Sequence, residues 1–450
     1  MNWPQLISGT RAGDKKTSSS DENRSAFEQD YDRIIFSQPF RKLQDKTQVF
    51  PLPEQDFVHT RLTHSLEVSS VGRSLGKKVG KILIDRYPEL KTQNISQYDF
   101  GAVVSAASLA HDLGNPPFGH SGEDAISGFF SHDEKGLFFQ DKVNSKEWAD
   151  LTNFEGNAQG FRILNKGKYQ GLKLTTATLA SFTKYPRESL INPIDKDRRS
   201  QNKYGFFQSE KKNFTQVASD VGVINLGTDN NLVWSRHPLA FLVEAADDIC
   251  YHIIDLEDGC NLGLVTFEQT VELLALILKN KLDIQKLNKL NSISEKIGLL
   301  RALTIGMLID QCTELFADQE KDMLSATYDR ALVDEIPGLN GLNEIMKISI
   351  EKIYRSQVVI QTEAAGFEVL SGLLEEFTHA TYYFKFEKDN YSPKHQSIIR
   401  LLPTDKLTEL ESVNSIYEVI LICLDYISGM TDSFALLTFR RIKGISLPKA

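Results

Sequence analysis

Apolar residues recur at helical spacing along most of the chain. The clearest case is Arg61 to Asp85, which we predict as a helix because its apolar residues fall on one face: Leu62, Leu66, Val71, Leu75, Val79, Ile82 and Leu83. Tyr98 to Leu113 predicts a second, mostly buried helix, since Gly114 and two prolines follow it. Pro238 to Asp258 predicts a third helix closed by Gly259, the usual residue after a helix end.

The remaining segments extend this pattern. Helical spacing returns at 158–164, at 173–182 and from Phe267 to the C-terminus. The stretch 187–214 is polar and basic without a clear period, which predicts a long loop, and the charged stretch 131–150 predicts an insertion. Strand-like alternation is scarce, so the pattern as a whole predicts an all-α fold.

Composition narrows the class of protein. Residues 8–30 are polar and rich in Ser, Asp and Lys, so we expect residues 1–30 to form a mobile arm that orders on a partner or substrate. The net charge of −9 argues against a surface that binds nucleic acid throughout, although it is compatible with a local basic patch. The N-terminus carries no secretory signal pattern, no apolar run approaches the roughly 20 residues of a membrane span, and the cysteines lack metal-binding spacing. We therefore expect a cytoplasmic protein without membrane contact.

Histidine and aspartate residues occur in a pattern typical of a divalent-metal site. His64 ends the motif TRLTH, His111 and Asp112 follow an apolar run and precede a Gly-Asn-Pro-Pro break, and Asp247 lies in the motif EAADD. A single histidine on a helix is more often structural, and a His-Asp pair can simply cap a turn. Together, however, two imidazoles and two carboxylates from separate helices suit a catalytic metal better than a closed structural site.

The third predicted helix carries polar residues on an otherwise apolar face. Asp247, Tyr251 and Asp255 are spaced by four residues and therefore lie along one stripe. Buried carboxylates are costly unless they bind a metal or are paired, which favours a functional stripe. Asp248 and His252 point away from it and are expected to have ordinary surface or hydrogen-bonding roles.

Two further pairs of residues have side chains suited to proton transfer or to phosphate binding. His120 and Glu123 lie one helical turn apart, and a carboxylate beside an imidazole suits a proton donor or base, although an acid is also common in the first turn of a helix. Lys184 and Tyr185 offer phosphate contacts without a glycine-rich loop, although Lys-Tyr-Pro at a helix end is more often structural. The sequence contains no P-loop, no dinucleotide-binding fingerprint and no GxSxG motif.

Several motifs in chain order resemble one known family. They are DRII (32–35), FRKLQDKTQVFPL (40–52), TRLTHSLEV (60–68), AHDLGNPPFGHSGE (110–123), FEGNAQ (154–159), RHPL (236–239), EAADDICYHIIDLED (244–258) and, more weakly, SGMTD (428–432). This set resembles the HD-domain deoxynucleoside triphosphate triphosphohydrolases, and within them the bacterial dGTP triphosphohydrolases. Asn115 favours the bacterial subgroup, because the mammalian relative has histidine there.

The resemblance implies a fold and a set of site residues. It implies an HD-domain helical fold, with a phosphohydrolase core over 31–260 and additional C-terminal helices over 261–450 packed on it. The implied metal ligands are His64, His111, Asp112 and Asp247. The implied catalytic dyad is His120 with Glu123. The implied substrate contacts are Arg61 at the α-phosphate, Gln48 and Asp255 at the 3′-hydroxyl, Tyr251 against the sugar, and Lys184 and Tyr185 on the triphosphate and sugar sides.

The implied function is metal-dependent hydrolysis of dNTPs, with dGTP preferred, to deoxynucleoside and inorganic triphosphate. The donor set accommodates Mn or Mg, and also Fe, Co or Ni. A homo-oligomer, expected to be a hexamer, and a single-stranded DNA effector are implied as well. The alternatives are a broad-specificity dNTPase, another HD phosphohydrolase such as a 5′-nucleotidase or phosphodiesterase, and a non-catalytic nucleotide-sensing regulator, for which the basic segments 187–212 and 440–449 leave room.

Overall fold

The fold is built from helices. The computed structural model describes residues 1–12, 24–49, 59–166 and 172–447. Over these ranges the regular elements are helices, and β-type pairing is confined to isolated bridges such as that between Thr47 and Thr60. The prediction of an all-α fold is therefore confirmed.

The described residues up to Asn261 form thirteen α-helices. They are α1 (Trp3–Leu6), α2 (Ala26–Ile35), α3 (Gln38–Lys42), α4 (Arg61–Arg86), α5 (Glu89–Thr92), α6 (Gln97–Ala110), α7 (Gly119–His132), α8 (Glu134–Leu137), α9 (Ser145–Thr152), α10 (Gly156–Asn165), α11 (Thr176–Phe182), α12 (Lys211–Val221) and α13 (Pro238–Asn261). The helices predicted at 61–85 and at 173–182 correspond to α4 and α11, and α12 begins inside the stretch expected to be loop.

The part of the chain after Asn261 continues with helices. They are α14 (Phe267–Leu278), α15 (Ile284–Asn288), α16 (Ile293–Leu324), α17 (Leu339–Ile348), α18 (Gln357–Phe386), α19 (Pro393–Ile399), α20 (Thr404–Ser412), α21 (Ile416–Ser428) and α22 (Asp432–Ile442). A π-helical turn, Ser349–Tyr354, separates α17 from α18.

Helices α4 and α6 pack closely, and this contact sets the position of the His-Asp motif. A stripe of glycines on α4 faces α6, and a Cβ atom on Gly76 would lie 2.6 Å from the carbonyl oxygen of Phe100. Since α6 ends at Ala110, His111 and Asp112 lie in the turn after it rather than inside the predicted helix. The close helix contact therefore brings this turn beside the first residues of α4.

Helix α13 does not end at Gly259 as predicted. It continues to Asn261, with Gly259 buried inside it. A Cβ atom at Gly259 would lie 2.5 Å from Cδ1 of Ile353, so the glycine allows the π-helical turn to approach α13. The glycine thus serves packing rather than helix termination.

Two hydrophobic cores share the chain. The first joins α4, α6, α11 and α13 to α14, α16 and α17, and the second joins α7 and α9 to α18 and α21. The charged stretch expected as an insertion contributes to the second core, because Phe139 is fully buried there. The loop between α6 and α7 therefore runs from one core to the other.

The described ends of the predicted mobile arm are packed against the fold. Trp3 is buried and donates from Nε1 to Oε1 of Glu320 at 2.6 Å. Arg11 forms a buried ion pair with Asp30, with 2.7 Å between Nη1 and Oδ1, and α2 already begins at Ala26. These contacts differ from the expectation because an apolar residue, Trp3, and a buried ion pair, Arg11 with Asp30, hold the two ends of the polar stretch. Residues 13–23 lie outside the described residues.

Over the described ranges, no individual helix has both the length and the apolar character needed to cross a membrane. The consecutive pair α21 and α22 would pass such a test jointly, but the two are bent by 113° relative to each other.

Candidate active site

One cavity collects the predicted site residues from five parts of the chain. It is lined by Gln48, Arg61, His64, His111, Asp112, His120, Glu123, Lys184, Tyr185, Asp247 and Tyr251. Asp255, the remaining predicted residue, is buried behind this lining. The fold therefore brings together side chains that are up to 203 positions apart in sequence.

Three of the predicted metal ligands converge. The donor atoms of His64, His111 and Asp247 lie within 4.8 Å of one another. Oδ1 of Asp247 is 3.3 Å from Nε2 of each histidine. Donors bonded to one metal at about 2.1 Å lie about 3.0–3.4 Å apart, so these separations fit a single ion.

The second nitrogen of His111 supports this arrangement. Its Nδ1 lies 2.7 Å from the carbonyl oxygen of Ser108 and must therefore carry the proton. This hydrogen bond leaves the lone pair of Nε2 directed at the cluster, as is usual for histidines that bind metals. The residues present thus fit a divalent ion.

Asp112 lies beside the three converging ligands but is held by other groups. Its Oδ2 is 3.5 Å from Nε2 of His111 and 2.8 Å from Nη1 of Arg61, and its Oδ1 accepts from Nδ2 of Asn115 at 2.5 Å. Burial alone would raise the pKa of the Asp112 carboxyl, but the Arg61 guanidinium and the two histidines lower it to about 2. Asp112 is therefore a carboxylate shared between Arg61 and the cluster.

Lys184 occupies the other side of Asp247. Its Nζ lies 2.6 Å from Oδ2 of Asp247. Burial opposes ionisation of Asp247, but Lys184 and His111 hold the pKa of its carboxyl well below the ordinary value. Tyr185 also lines the cavity, and burial raises the pKa of its hydroxyl.

His120 and Glu123 form a hydrogen-bonded pair at the start of α7. Nδ1 of His120 lies 2.8 Å from Oε2 of Glu123, whose Oε1 accepts from the backbone nitrogen of Gly156 at 2.6 Å. The imidazole is 80% exposed whereas the carboxylate is buried. The hydrogen bond that His120 donates to Glu123 raises the pKa of the imidazole, although desolvation opposes this shift. The pair can therefore present a protonated imidazole to the cavity.

Aromatic side chains form the cavity wall farther along α13. Tyr251 stacks on Tyr354 with ring centroids 5.6 Å apart and planes inclined by 21°. The Tyr354 hydroxyl donates to Oδ2 of Asp255 at 2.6 Å. Asp255 consequently reaches the cavity through Tyr354, and burial raises the pKa of its carboxyl to about 8. Gln48 also lines the cavity, and its Oε1 is buried without a partner among the described residues.

Sequence reasoning missed several lining residues. Asn115, Lys203 and Tyr354 line the cavity, and of these only Asn115 carried a signal, namely its place in the His-Asp motif. Lys203 comes from the stretch predicted as a loop, and its Nζ donates to Oε1 of Glu155 at 3.2 Å.

The position of Asp248 differs from the one expected for a residue with an ordinary surface or hydrogen-bonding role. Asp248 lines the cavity, and its Oδ2 has no partner among the described residues. The expectation required Asp248 to lie on an outer surface of α13, but the half-buried side of that helix, with Asp247, Asp248 and Tyr251, lines the cavity. Burial, with Glu244 and Asp247 nearby, raises the pKa of Asp248 to about 8.

Known proteins match the chain over its whole length. The HD domain family matches residues 61–154. A deoxyguanosinetriphosphate triphosphohydrolase-like protein of Synechocystis is 44% identical over 99% of this chain and 100% of its own length. A protein of the same description from Pseudomonas aeruginosa is 38% identical over 100% of both chains. A deoxyguanosinetriphosphate triphosphohydrolase of Salmonella paratyphi A is 30% identical over 93% of this chain and 94% of its own. The chain belongs to the deoxyguanosinetriphosphate triphosphohydrolase family of HD-domain proteins.

Proposed function

We propose that this protein hydrolyses deoxynucleoside triphosphates, with dGTP preferred, to deoxynucleoside and inorganic triphosphate in a metal-dependent reaction. The observation that carries the proposal is the juxtaposition, in one cavity, of a His-His-Asp cluster and a His-Glu pair. The preference for dGTP is supported by the names of the full-length relatives.

The metal would be held by His64, His111 and Asp247, with Asp112 as the fourth ligand. When bound, it would supply charge neutralisation at the α-phosphate and activation of water. Asp112 forms an ion pair with Arg61, with 2.8 Å between Oδ2 and Nη1, so Arg61 would hold this ligand in place and contact the α-phosphate. We favour Mn or Mg as the native ion, with Fe, Co or Ni accommodated by the same ligands.

Two cations are positioned to receive the triphosphate. Arg61 and Lys184 each lie within 3 Å of a proposed metal ligand, and this proximity supports a role for both in neutralising the negative charge that develops during cleavage. Fixed cations stabilise charge in a closed site without having to reorganise. Tyr185, next to Lys184 on the cavity wall, would contact the triphosphate or the sugar.

His120 is suited to assist the leaving group. Release of an intact triphosphate breaks the bond between the α-phosphorus and the 5′-oxygen, and an alkoxide leaves poorly unless it is protonated. The Glu123 carboxylate accepts from Nδ1 of His120, so the proton on Nε2 is free to be donated. His120 would therefore act as the general acid, with Glu123 orienting it.

The sugar would lie against Tyr251. A ring packed on C2′ leaves no room for a 2′-hydroxyl, which accounts for deoxyribose selectivity by steric exclusion. Oε1 of Gln48, which has no partner within the described part of the chain, would accept from a 3′-hydroxyl. Asp255 would act on the same hydroxyl together with Tyr354, to which it is hydrogen-bonded.

Product analysis tests this function. The protein is incubated with each of the four dNTPs and four rNTPs plus Mn²⁺ or Mg²⁺, and the products are separated by ion-exchange chromatography. We expect inorganic triphosphate and deoxynucleoside, most rapidly from dGTP. Orthophosphate would indicate a nucleotidase, a nucleoside monophosphate would indicate a different cleavage position, and binding without turnover would indicate a nucleotide sensor.

The assembly and its setting remain predictions. We propose a homo-oligomer, with a hexamer as the expected form, a cytoplasmic location, and single-stranded DNA as an effector. Light scattering of the purified protein tests the hexamer. Assays with and without an oligonucleotide test the effector.

A further inference from the structure

The turn SGMTD, residues 428–432, comes from the C-terminal helices and contacts Thr47 and Phe118, which line the cavity. None of its residues has a role in the reaction outlined above. Asp432 is the first residue of α22 and is 1% exposed. Its Oδ2 accepts from the backbone nitrogen and from Oγ1 of Thr47, at 2.9 and 2.6 Å. Its Oδ1 accepts from the backbone nitrogen of Phe118 at 3.0 Å. One carboxylate thus joins two segments that are 71 positions apart in sequence.

Each of these segments carries a proposed functional side chain. Thr47 directly precedes Gln48, and Phe118 lies two residues before His120. Phe118 has a φ of 65° and Gly119 a φ of 62°, so two successive residues adopt the left-handed conformation where α7 begins. A bulky residue rarely adopts this conformation unless its surroundings hold it there. The hydrogen bond from the backbone nitrogen of Phe118 to Asp432 stabilises this conformation.

A lysine makes a second connection in parallel. Nζ of Lys46, buried at 3% exposure, donates to the carbonyl oxygen of Asn115 at 2.5 Å and to that of Ser428 at 2.7 Å. Lys42 donates to the next carbonyl, that of Gly429, at 2.8 Å. The last carbonyls of a helix have no partner within it and favour cations, so the end of α21 is a natural anchor for both lysines.

We propose that Asp432 and Lys46 are positioning residues that form a clamp between the Gln48 segment and the His120 turn. The clamp fixes the distance between Gln48, which would bind the sugar, and His120, which would donate the proton. A sugar bound at Gln48 then presents its 5′-oxygen to His120. This inference rests on the proposed function, and it deepens it by adding residues that touch no substrate. The clamp leaves the His64, His111 and Asp247 cluster untouched.

The decisive variant is Asp432→Asn, which keeps the shape of the side chain but replaces one acceptor oxygen by an amide that faces N–H donors. Small displacements of reacting groups can lower rates by roughly 10²-fold. We expect kcat for dGTP to fall by about 10- to 100-fold and the preference for dGTP over 2′,3′-dideoxy-GTP to shrink, while Mn²⁺ binding measured by calorimetry stays unchanged. Thr47→Val, which removes only the Oγ1 donor, should give a smaller change in the same direction.

Thr431→Ala is the matched control. Thr431 caps the same helix by accepting from the backbone nitrogen of Phe434 at 3.3 Å, and no hydrogen bond links it to Thr47 or Phe118 in the described residues. It should lower the melting temperature with little effect on kcat per folded molecule. If Asp432→Asn behaves like Thr431→Ala, with wild-type kcat and an unchanged dideoxy preference, the clamp proposal is overturned.

Amide hydrogen exchange separates this proposal from the proposed function. In Asp432→Asn the peptides containing Thr47 and Phe118 should exchange faster than in the wild type, and those covering α4 and α13 should not. This readout needs no turnover, so it judges the clamp even if the wild-type protein releases no triphosphate, a result that would refute only the proposed function. Unchanged exchange at both peptides would overturn the clamp.

Discussion

The pH profile of a Glu123→Gln variant gives a sharp test of the proposed proton donor. Glu123 accepts from Nδ1 of His120 at 2.8 Å and raises the pKa of that imidazole. If protonated His120 is the active form, activity falls as pH rises through its pKa. The variant keeps the side-chain shape but loses the charge, so the pKa of His120 falls and the alkaline limb of kcat/KM moves to lower pH.

The size of the effect follows from the geometry of the pair. Hydrogen bonds to charged groups contribute about 1.5–3 kcal/mol. Because the His120 side chain is 80% exposed, solvent screening favours a smaller value, about 1–2 kcal/mol. Each 1.4 kcal/mol is a factor of ten, so the protonated fraction at alkaline pH should fall by roughly 5- to 30-fold. At acidic pH both forms are protonated, and only the loss of orientation remains.

The assay measures kcat/KM for dGTP between pH 5.5 and 9. Asp124→Asn is the matched control, because Asp124 is the exposed neighbour of Glu123 on the same helix and its removal leaves the hydrogen bond to His120 intact. An alkaline midpoint that stays in place in Glu123→Gln, or moves to higher pH, would refute His120 as the general acid.

Four further outcomes are expected. His120→Ala should lower kcat by roughly 10²–10⁴-fold while sparing substrate binding, and a change confined to KM would argue against the dyad. Asp112→Ala or His64→Ala should lose turnover and metal binding together, as measured by assay and calorimetry; wild-type activity in either variant would remove the metal-site assignment. Tyr251→Ala should raise activity on GTP relative to dGTP, and 2′,3′-dideoxy-GTP should be a poor substrate for the wild type because stranded polar groups cost about 1–3 kcal/mol each; equal wild-type rates on GTP and dGTP would contradict this. Burial lowers the pKa of His237 to about 4, so below pH 6.5 the unfolded chain binds a proton that the folded protein does not. The free energy of unfolding should therefore fall by about 1.4 kcal/mol per pH unit between pH 6.5 and pH 4. Urea denaturation should show this slope in the wild type but not in His237→Gln, and parallel profiles would argue against the assignment to His237.

Local sequence patterns predicted much of the fold and many residues of the candidate cavity. The period of apolar residues predicted α4 and most of α6 and α13, because one face of each helix is buried. The His-Asp motif and the Asp247 stripe identified residues that the fold brings to one cavity. A motif of this kind can be read from sequence because its spacing is fixed by one turn or one helix.

Contacts between distant segments were not predictable in this way. Tyr354 lies on a π-helical turn and approaches Asp255 only because Gly259 admits Ile353. The position of Asp248 was not predicted because the half-buried side of α13 faces the cavity rather than the outer surface of the protein. The hydrogen bonds of Asp432 with Thr47 and Phe118 depend on the position of α22 against the second core, and no local sequence pattern predicts that position.

The destination of the water oxygen tests the central claim most directly. Hydrolysis of dGTP in H₂¹⁸O is followed by mass spectrometry of both products. Cleavage between the α-phosphorus and the 5′-oxygen predicts one heavy oxygen in the inorganic triphosphate and none in the deoxyguanosine. Label in the deoxyguanosine, or in a nucleoside monophosphate in place of triphosphate, would contradict the account.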